Sequence, residues 1–176
     1  MLHGDPLANP EPLIRRVYAY VAYVIGDGPD AEDITSTVFE NALRYRSTYD
    51  RSRGKPSTWL LGIARRCVAA ALSERAASRE APMDVETPTE LEAEAVDRVT
   101  LRAALDTLSE RDRDLIALRY AADLRAREIA ELLGLTTNAV EVALHRALSK
   151  LRAELEAEQP PSEGAAPVVG TAGKPV

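Results

Sequence analysis

Cysteine is almost missing from this chain: Cys67 is the single one in 176 residues. That excludes an internal disulfide framework and a multi-cysteine zinc site, and it fits a reduced, cytoplasmic setting. Aromatic residues are also scarce, at 5%. With a hydrophobic fraction of 45%, the core must be filled by Leu, Ile, Val and Ala, which favours close-packed helices over a sheet. No apolar run nears the roughly 20 residues that span a bilayer, so no membrane insertion is expected. Residues 1–12 have neither the basic nor the apolar block of a signal peptide. There is no Gly-rich phosphate loop and no nucleophile motif. The two histidines, His3 and His145, fall at an end and on a late helix, poorly placed to act together. Asp30, Glu32 and Asp33 open a helix at a spacing that spreads their carboxylates around its axis, which does not suit a metal. The expectation is a non-enzymatic protein without cofactor.

What is present is an uneven charge distribution. The net charge of −6 argues at first against nucleic acid, but its placement matters more than its total. Residues 1–79 carry 11 bases against 9 acids, and residues 80–98 carry 7 acids against one Arg. Residues 99–152 return to 9 bases against 8 acids, and the remainder is acidic again. Two near-neutral blocks are thus separated by an acidic stretch. The expected organisation is an N-terminal helical domain over 1–79, an acidic linker over 80–98, a C-terminal domain over 99–157 and a tail over 158–176. The tail is rich in Pro, Gly and Ala and cannot bury enough apolar surface to order itself.

Helical periodicity runs through both blocks, and no alternating strand stands out, so the fold is expected to be all-α. A first helix spans about Pro12 to Ile25 and breaks at Gly26-Asp27-Gly28. Pro29 suits the first turn of a second helix, whose Ala31, Ile34, Val38 and Ala42 recur at three- and four-residue spacing. Tyr49 to Pro56 reads as an exposed loop. Ser57 is a candidate cap for a third helix carrying Trp59, Leu60, Ile63, Ala64, Cys67, Val68 and Leu72. Trp59 sits on that apolar stripe and reads as a core anchor before it reads as a nucleic-acid wedge. In the second block, Thr87-Pro88-Thr89-Glu90 and Ser109-Glu110-Arg111-Asp112 are laid out as capped helix starts. The helix after Ser109 is expected to run through Leu115, Leu118 and Arg119. Two more follow near Ala126–Leu133 and Thr137–Leu155.

Those last two helices form the most informative pattern. Two helices crossing steeply need a small residue at their contact, here Ala130, and a turn residue tolerant of positive φ, here Gly134. Ile129, Leu133, Leu135, Val140 and Leu144 would fill the space between them, with Thr136 capping the second. The arrangement is that of a helix-turn-helix, whose second helix presents its N-terminal end to a major groove. Thr137, Asn138, Glu141, Val142 and His145 would face bases, while Arg146 and Lys150 could reach phosphates. The bland alternative is a helical hairpin closed by a Gly cap, a common ending.

At this point the chain resembles a known family. Asp30-Ala31-Glu32-Asp33-Ile34 with Phe39, then Trp59-Leu60-Leu61-Gly62-Ile63-Ala64-Arg65, resemble the second conserved region of extracytoplasmic-function (ECF) sigma factors of bacterial RNA polymerase, within the sigma-70-like family. Leu105 to Arg113, Leu118-Arg119-Tyr120, Glu128-Ile129-Ala130 and His145-Arg146-Ala147 resemble their fourth region. The resemblance implies a factor that binds the RNA polymerase core and directs promoter-specific initiation. Asp30, Glu32, Asp33 and Glu40 would meet the polymerase clamp, and the second domain its flap. Arg51, Arg53, Lys55, Arg65, Arg66, Arg75 and Arg79 would contact DNA at the −10 element. Thr136, Thr137, Asn138, Glu141, Val142, His145, Arg146 and Lys150 would serve the −35 element. An anti-sigma factor is a further partner the resemblance allows. The chain departs from the family pattern at Arg66, Ala70, Ser36-Thr37, Glu141 and Ala143, which points to an atypical promoter. Two rival readings stay open: a stand-alone helix-turn-helix regulator, and a sigma-like adaptor that binds a protein but no DNA.

Overall fold

Proline fixes where the first two helices begin. Its locked φ suits the first turn, where its missing N–H is not needed. In the computed structural model, which describes residues 5–78, 101 and 103–158, helix α1 accordingly starts at Pro10 and runs to Ile25, two residues earlier than the periodicity alone suggests. Helix α2 spans Pro29–Arg44. Between them Gly26 and Gly28 take φ values of 111° and 123°, a region open to glycine. Helix α3 runs Pro56–Ser78. Pro56 again leads, so Ser57 lies inside the first turn and is not the cap; the Lys55 carbonyl instead accepts from the Trp59 N–H at 3.2 Å. Ser57 and Thr58 are both buried there.

The second group is short helices set by side-chain caps. Residues 103–106 end a helical segment. Ser109 then accepts from the Asp112 N–H at 3.2 Å and opens α4, Glu110–Ile116. The sequence reading carries that helix straight on through Arg119. The chain instead widens into a π turn over Ala117–Ala121, closed by the Ala122 N–H on the Ala117 carbonyl at 2.9 Å. The wider turn admits one more residue and leaves Ala117, Leu118, Ala122 and Leu124 all fully buried. The Arg119 guanidinium donates to the Leu124 carbonyl at 3.2 Å and fastens the connection. Helix α5, Ala126–Leu133, and helix α6, Thr137–Glu158, follow. Gly134 ends α5 at φ 66° and ψ 34°, the left-handed closure its residue type anticipates.

Packing joins the two groups. Val17, Tyr20, Val21, Val38, Leu60, Leu61 and Ala64 fill the space among α1, α2 and α3. The same apolar cluster continues through Leu115, Leu118, Leu124, Ile129 and Val140. Helix α1 lies against the π turn and α3 against α5. A Cβ added at Gly62 would sit 3.4 Å from Leu132 Cδ1, so the α3–α5 approach is close. Leu105, Leu108, Ile116 and Ala147 form a smaller cluster beneath α4 and α6. No strand occurs among the described residues. The acidic linker expected over 80–98, the Thr87–Glu90 helix start and the tail beyond Glu158 lie outside them.

Nothing lies within 4 Å of a Cβ built at Gly134, so its requirement is conformational. Gly134→Ala is expected to lower stability by about 1 kcal/mol through the left-handed backbone alone. Gly134→Asn is expected to cost less, since Asn tolerates that region. Urea denaturation of the two variants checks the order.

Candidate nucleic-acid interface

Helix α6 is held at its start by its own sequence. Thr136 Oγ1 accepts from the Ala139 N–H at 3.2 Å, and the Thr136 carbonyl from the Val140 N–H at 3.1 Å. From there, burial alternates at helical period. Val140, Leu144 and Ala147 turn into the core, against Ile129 and Ala130 of α5. Thr136, Thr137, Asn138, Glu141, Val142, His145 and Arg146 are all exposed. The first three stand at the positive end of the helix dipole, where unpaired N–H groups favour an anion. Val142 exposes 42% of its surface, an apolar group on an otherwise polar face. Such a group suits a thymine methyl, and a carboxylate such as Glu141 can accept from a cytosine amine. Lys150 is different: its ammonium reaches back 2.6 Å to Asp112 Oδ2 at the start of α4. That hydrogen bond, helped by Ser109, holds the Asp112 carboxyl below its ordinary value against the opposing effect of burial.

The loop between α2 and α3 is built as a rigid projection. Tyr49 Oη donates to the Gly54 carbonyl at 3.0 Å, and the Tyr49 and Trp59 rings meet at 5.6 Å and 59°. Trp59 is half-buried and packs on the main core, as its place on the stripe implies. Asp50 Oδ1 accepts from the Ser52 N–H at 2.9 Å and shapes a short 3-10 turn, Arg51–Arg53. Arg51 and Arg53 on that turn, and Arg66 on α3, are exposed and ion-paired with no other described residue. The remaining basic candidates are engaged. Lys55 Nζ lies 2.7 Å from Glu128 Oε1, Arg65 lies 2.8 Å from Asp114 Oδ2, and Arg75 pairs with Asp30. Arg79 lies outside the described residues. Glu128 is doubly used, since its Oε2 also accepts from the Arg125 N–H at 3.0 Å and caps α5. Burial pushes the Glu128 carboxyl up, but Lys55 and the Arg125 N–H outweigh it and hold it below its ordinary value.

Of the acidic candidates on α2, Asp30, Glu32, Asp33 and Glu40 are all exposed. Asp33 and Glu40, seven residues apart, share one face. Asp30 and Arg75, which the sequence reading assigns to two different surfaces, meet each other instead. A set of acids that the sequence reading missed lies across the junction of the two helical groups. Tyr20 Oη donates to Asp114 Oδ1 at 2.7 Å, and Arg16 lies 3.7 Å from Asp123. Burial first, and then the Asp114 charge, pushes the Tyr20 hydroxyl well above its ordinary range. No local signal could have found these pairs, because the partners are far apart in sequence and their residue types are ordinary for exposed helix faces.

Comparison with known proteins bears on both helical groups. A family described as Sigma-70 region 2 matches residues 11–77, and one described as Sigma-70, region 4 matches residues 98–151. The chain is 33% identical over 156 residues to the ECF RNA polymerase sigma factor SigD of Mycobacterium tuberculosis, covering 82% of this chain and 72% of that protein. It is 30% identical over 151 residues to the ECF RNA polymerase sigma factor SigK of Mycobacterium ulcerans, covering 81% of each. Among solved structures, the sigma factor RpoE from Bartonella quintana, in complex with the anti-sigma factor NepR, superposes with a TM-score of 0.66 at 17% identity. That match covers 84% of this chain and 94% of the other. CnrH, in complex with the cytosolic domain of CnrY, gives 0.60 at 21%, covering 85% and 83%. At those identities the two structures speak to the fold.

A carboxyl held low in the folded chain contributes stability above its unfolded value, and that contribution is lost as pH falls through the folded value. Lys150→Met is therefore expected to destabilise the chain by up to about 1 kcal/mol near pH 7. The difference should close below the ordinary Asp112 value of 3.8, once that carboxyl is protonated in both proteins. Urea titrations of the two proteins across that range measure the gap.

Proposed function

Since the chain belongs to the ECF family of RNA polymerase sigma factors, we propose that it reads promoters with two separate surfaces while bound to the polymerase core. The observation that carries this reading is the exposed stripe from Thr136 to Arg146 on a helix whose opposite face buries Val140, Leu144 and Ala147. Sigma factors direct initiation without a reaction of their own, and no step here asks for a nucleophile or a metal. The stripe on α6 would enter the major groove at the −35 element. Thr137, Asn138, Glu141 and Val142 would read bases, with His145 beside them and Arg146 on a phosphate. Lys150 would join only by leaving Asp112.

The first helical group would take the −10 element. Arg51, Arg53 and Arg66 are placed to hold phosphates at once, whereas Lys55, Arg65 and Arg75 must exchange a carboxylate for a phosphate. Strand separation would be driven by binding energy, because a base held in a protein pocket offsets a few kcal/mol of unstacking. Glu32, Asp33 and Glu40 of α2 would face basic residues of the polymerase clamp, and the second group its flap. The work belongs in the cytoplasm, where the polymerase is. RpoE and CnrH, two solved structures of similar fold, each hold a second protein, named as an anti-sigma factor for RpoE, which supports such a partner here. Glu141 and Ala143 on the reading face favour a −35 sequence unlike the family's usual one.

Run-off transcription with purified core polymerase and a random promoter library tests the whole reading. Specific starts are expected; if the full chain neither associates with core nor selects start sites, the reading is wrong. Arg146→Ala is expected to weaken binding alike on all sequences and to reduce the salt slope by about one. Asn138→Ala should instead relax preference at one position of the −35 element, by about 1–3 kcal/mol of discrimination.

A further inference from the structure

We infer that Tyr45, with Arg44 and Arg46 beside it, is a stacking platform for an unpaired base of single-stranded DNA. The inference rests on the promoter reading above and adds to it a contact for a separated strand. Residues 44–53 carry four arginines and one acid. That acid, Asp50, directs Oδ1 to the Ser52 N–H at 2.9 Å and to the Ser52 hydroxyl at 2.7 Å. Arg44 and Arg46 are exposed and ion-paired with no other described residue. The two tyrosines of the segment are used differently. Tyr49 turns inward, onto the Trp59 ring and the Gly54 carbonyl. Tyr45 leaves 50% of its surface in solvent. The helix dipole accounts for a cation such as Arg44 at the end of α2. It does not account for an exposed ring followed by a second arginine.

The backbone beneath that ring is fixed. The Tyr45 N–H donates to the Asn41 carbonyl at 2.9 Å, and the Tyr45 carbonyl accepts from the Thr48 N–H at 2.9 Å and the Thr48 hydroxyl at 2.7 Å. The Arg46 carbonyl accepts from the Tyr49 N–H at 3.2 Å and closes a short 3-10 turn, Arg46–Thr48. The ring is thus carried on an ordered turn, and binding need not order the chain first. Paired bases in a duplex offer their edges and hide their faces. A protein ring stacks on a base only where that base has left its helix, and it does so whatever the base is. Arginines on either side hold the sugar-phosphate backbone, again without reading sequence. Trp59, whose residue type would suit the same task, is half-buried and packed on the main core. Tyr45 is the ring of this segment that the fold leaves for a ligand.

The test uses the full chain, free and bound to core polymerase, with a single-stranded deoxyoligonucleotide of mixed sequence that carries iodinated deoxyuridine. Long-wavelength light joins that base to an aromatic ring on which it stacks. The cross-link should map to Tyr45, and the same sequence as a duplex should give none there. Tyr45→Ala should weaken binding of the oligonucleotide about 5- to 150-fold, the range for one stacked base. Tyr45→Phe should stay within about twofold of the parent, because stacking uses the ring and not the hydroxyl. Arg46→Ala should reduce the salt slope by about 0.7, the single-strand value for one phosphate. The cross-link needs no variant, so it decides the matter even if Tyr45→Ala fails to fold. The platform is refuted if no cross-link reaches Tyr45 in either the free or the polymerase-bound chain, or if Tyr45→Ala binds the oligonucleotide as the parent does. It is refuted equally if that variant loses affinity for core polymerase alone, which would make the ring a protein contact. Specific promoter starts with no effect at Tyr45 would leave the promoter reading standing without the platform. A cross-link at Tyr45 in a chain that selects no start sites would do the reverse.

Discussion

Small residues at helix contacts are the constraint on which this structure depends. With one Trp and one Phe in the chain, little bulk is available to prop helices apart, and close approach must supply the dispersion contacts instead. Ala31, Ala42, Ala64, Ala117, Ala122, Ala130 and Ala147 are all buried, most of them completely. Gly62 carries the same device across the seam between the two helical groups. Aliphatic side chains then interdigitate around these contacts, and the core passes from α1 to α6 without a gap. The reading face of α6 is a by-product of that burial, because once Val140, Leu144 and Ala147 are committed inward, the remaining positions have nowhere to point but outward.

Charge follows a different logic. Of the basic residues suited to DNA, those on the loop turn and the outer side of α3 stand free of described acids, while those nearer the seam or the α2 contact are matched one to one with carboxylates. The near-neutral balance of each block, puzzling for a protein that handles nucleic acid, is resolved by this division. Acids occupy Lys55, Arg65 and Arg75 in particular, and Arg51, Arg53 and Arg66 are left as exposed bases. A whole-chain charge of −6 therefore says little about either binding face.

How much of this could be read in advance depended on the range of the interactions. The start of α2, the Ser109 cap, the Gly134 turn, the span of α5 and the outward stripe of α6 are all set by residues within a few positions of one another, and the sequence displays them. Ser57 does not cap α3, because Pro56 outranks a hydroxyl in fixing the first turn. The π turn was invisible because its cause is tertiary: α1 and the core behind it favour the placement of Leu118 and Leu124, and nothing in Ala117–Ala121 itself demands a wider turn. Asp114 was invisible for a similar reason. Its partners Tyr20 and Arg65 become neighbours only when the two groups meet. Family resemblance supplied what local chemistry could not, namely that two separate helical groups serve one machine.

The π turn has a consequence for how such a chain can vary. A residue accommodated this way is an added length of backbone, so no exchange of side chains can take it out again. Losing it would need a deletion, which would turn the end of that helical run by about 100° about its axis and draw Ala122 and Leu124 away from the core they fill. The placement of Leu118, Ala122 and Leu124 in the core is thereby tied to a count of residues as well as to their kind, which makes this junction brittle to changes in length.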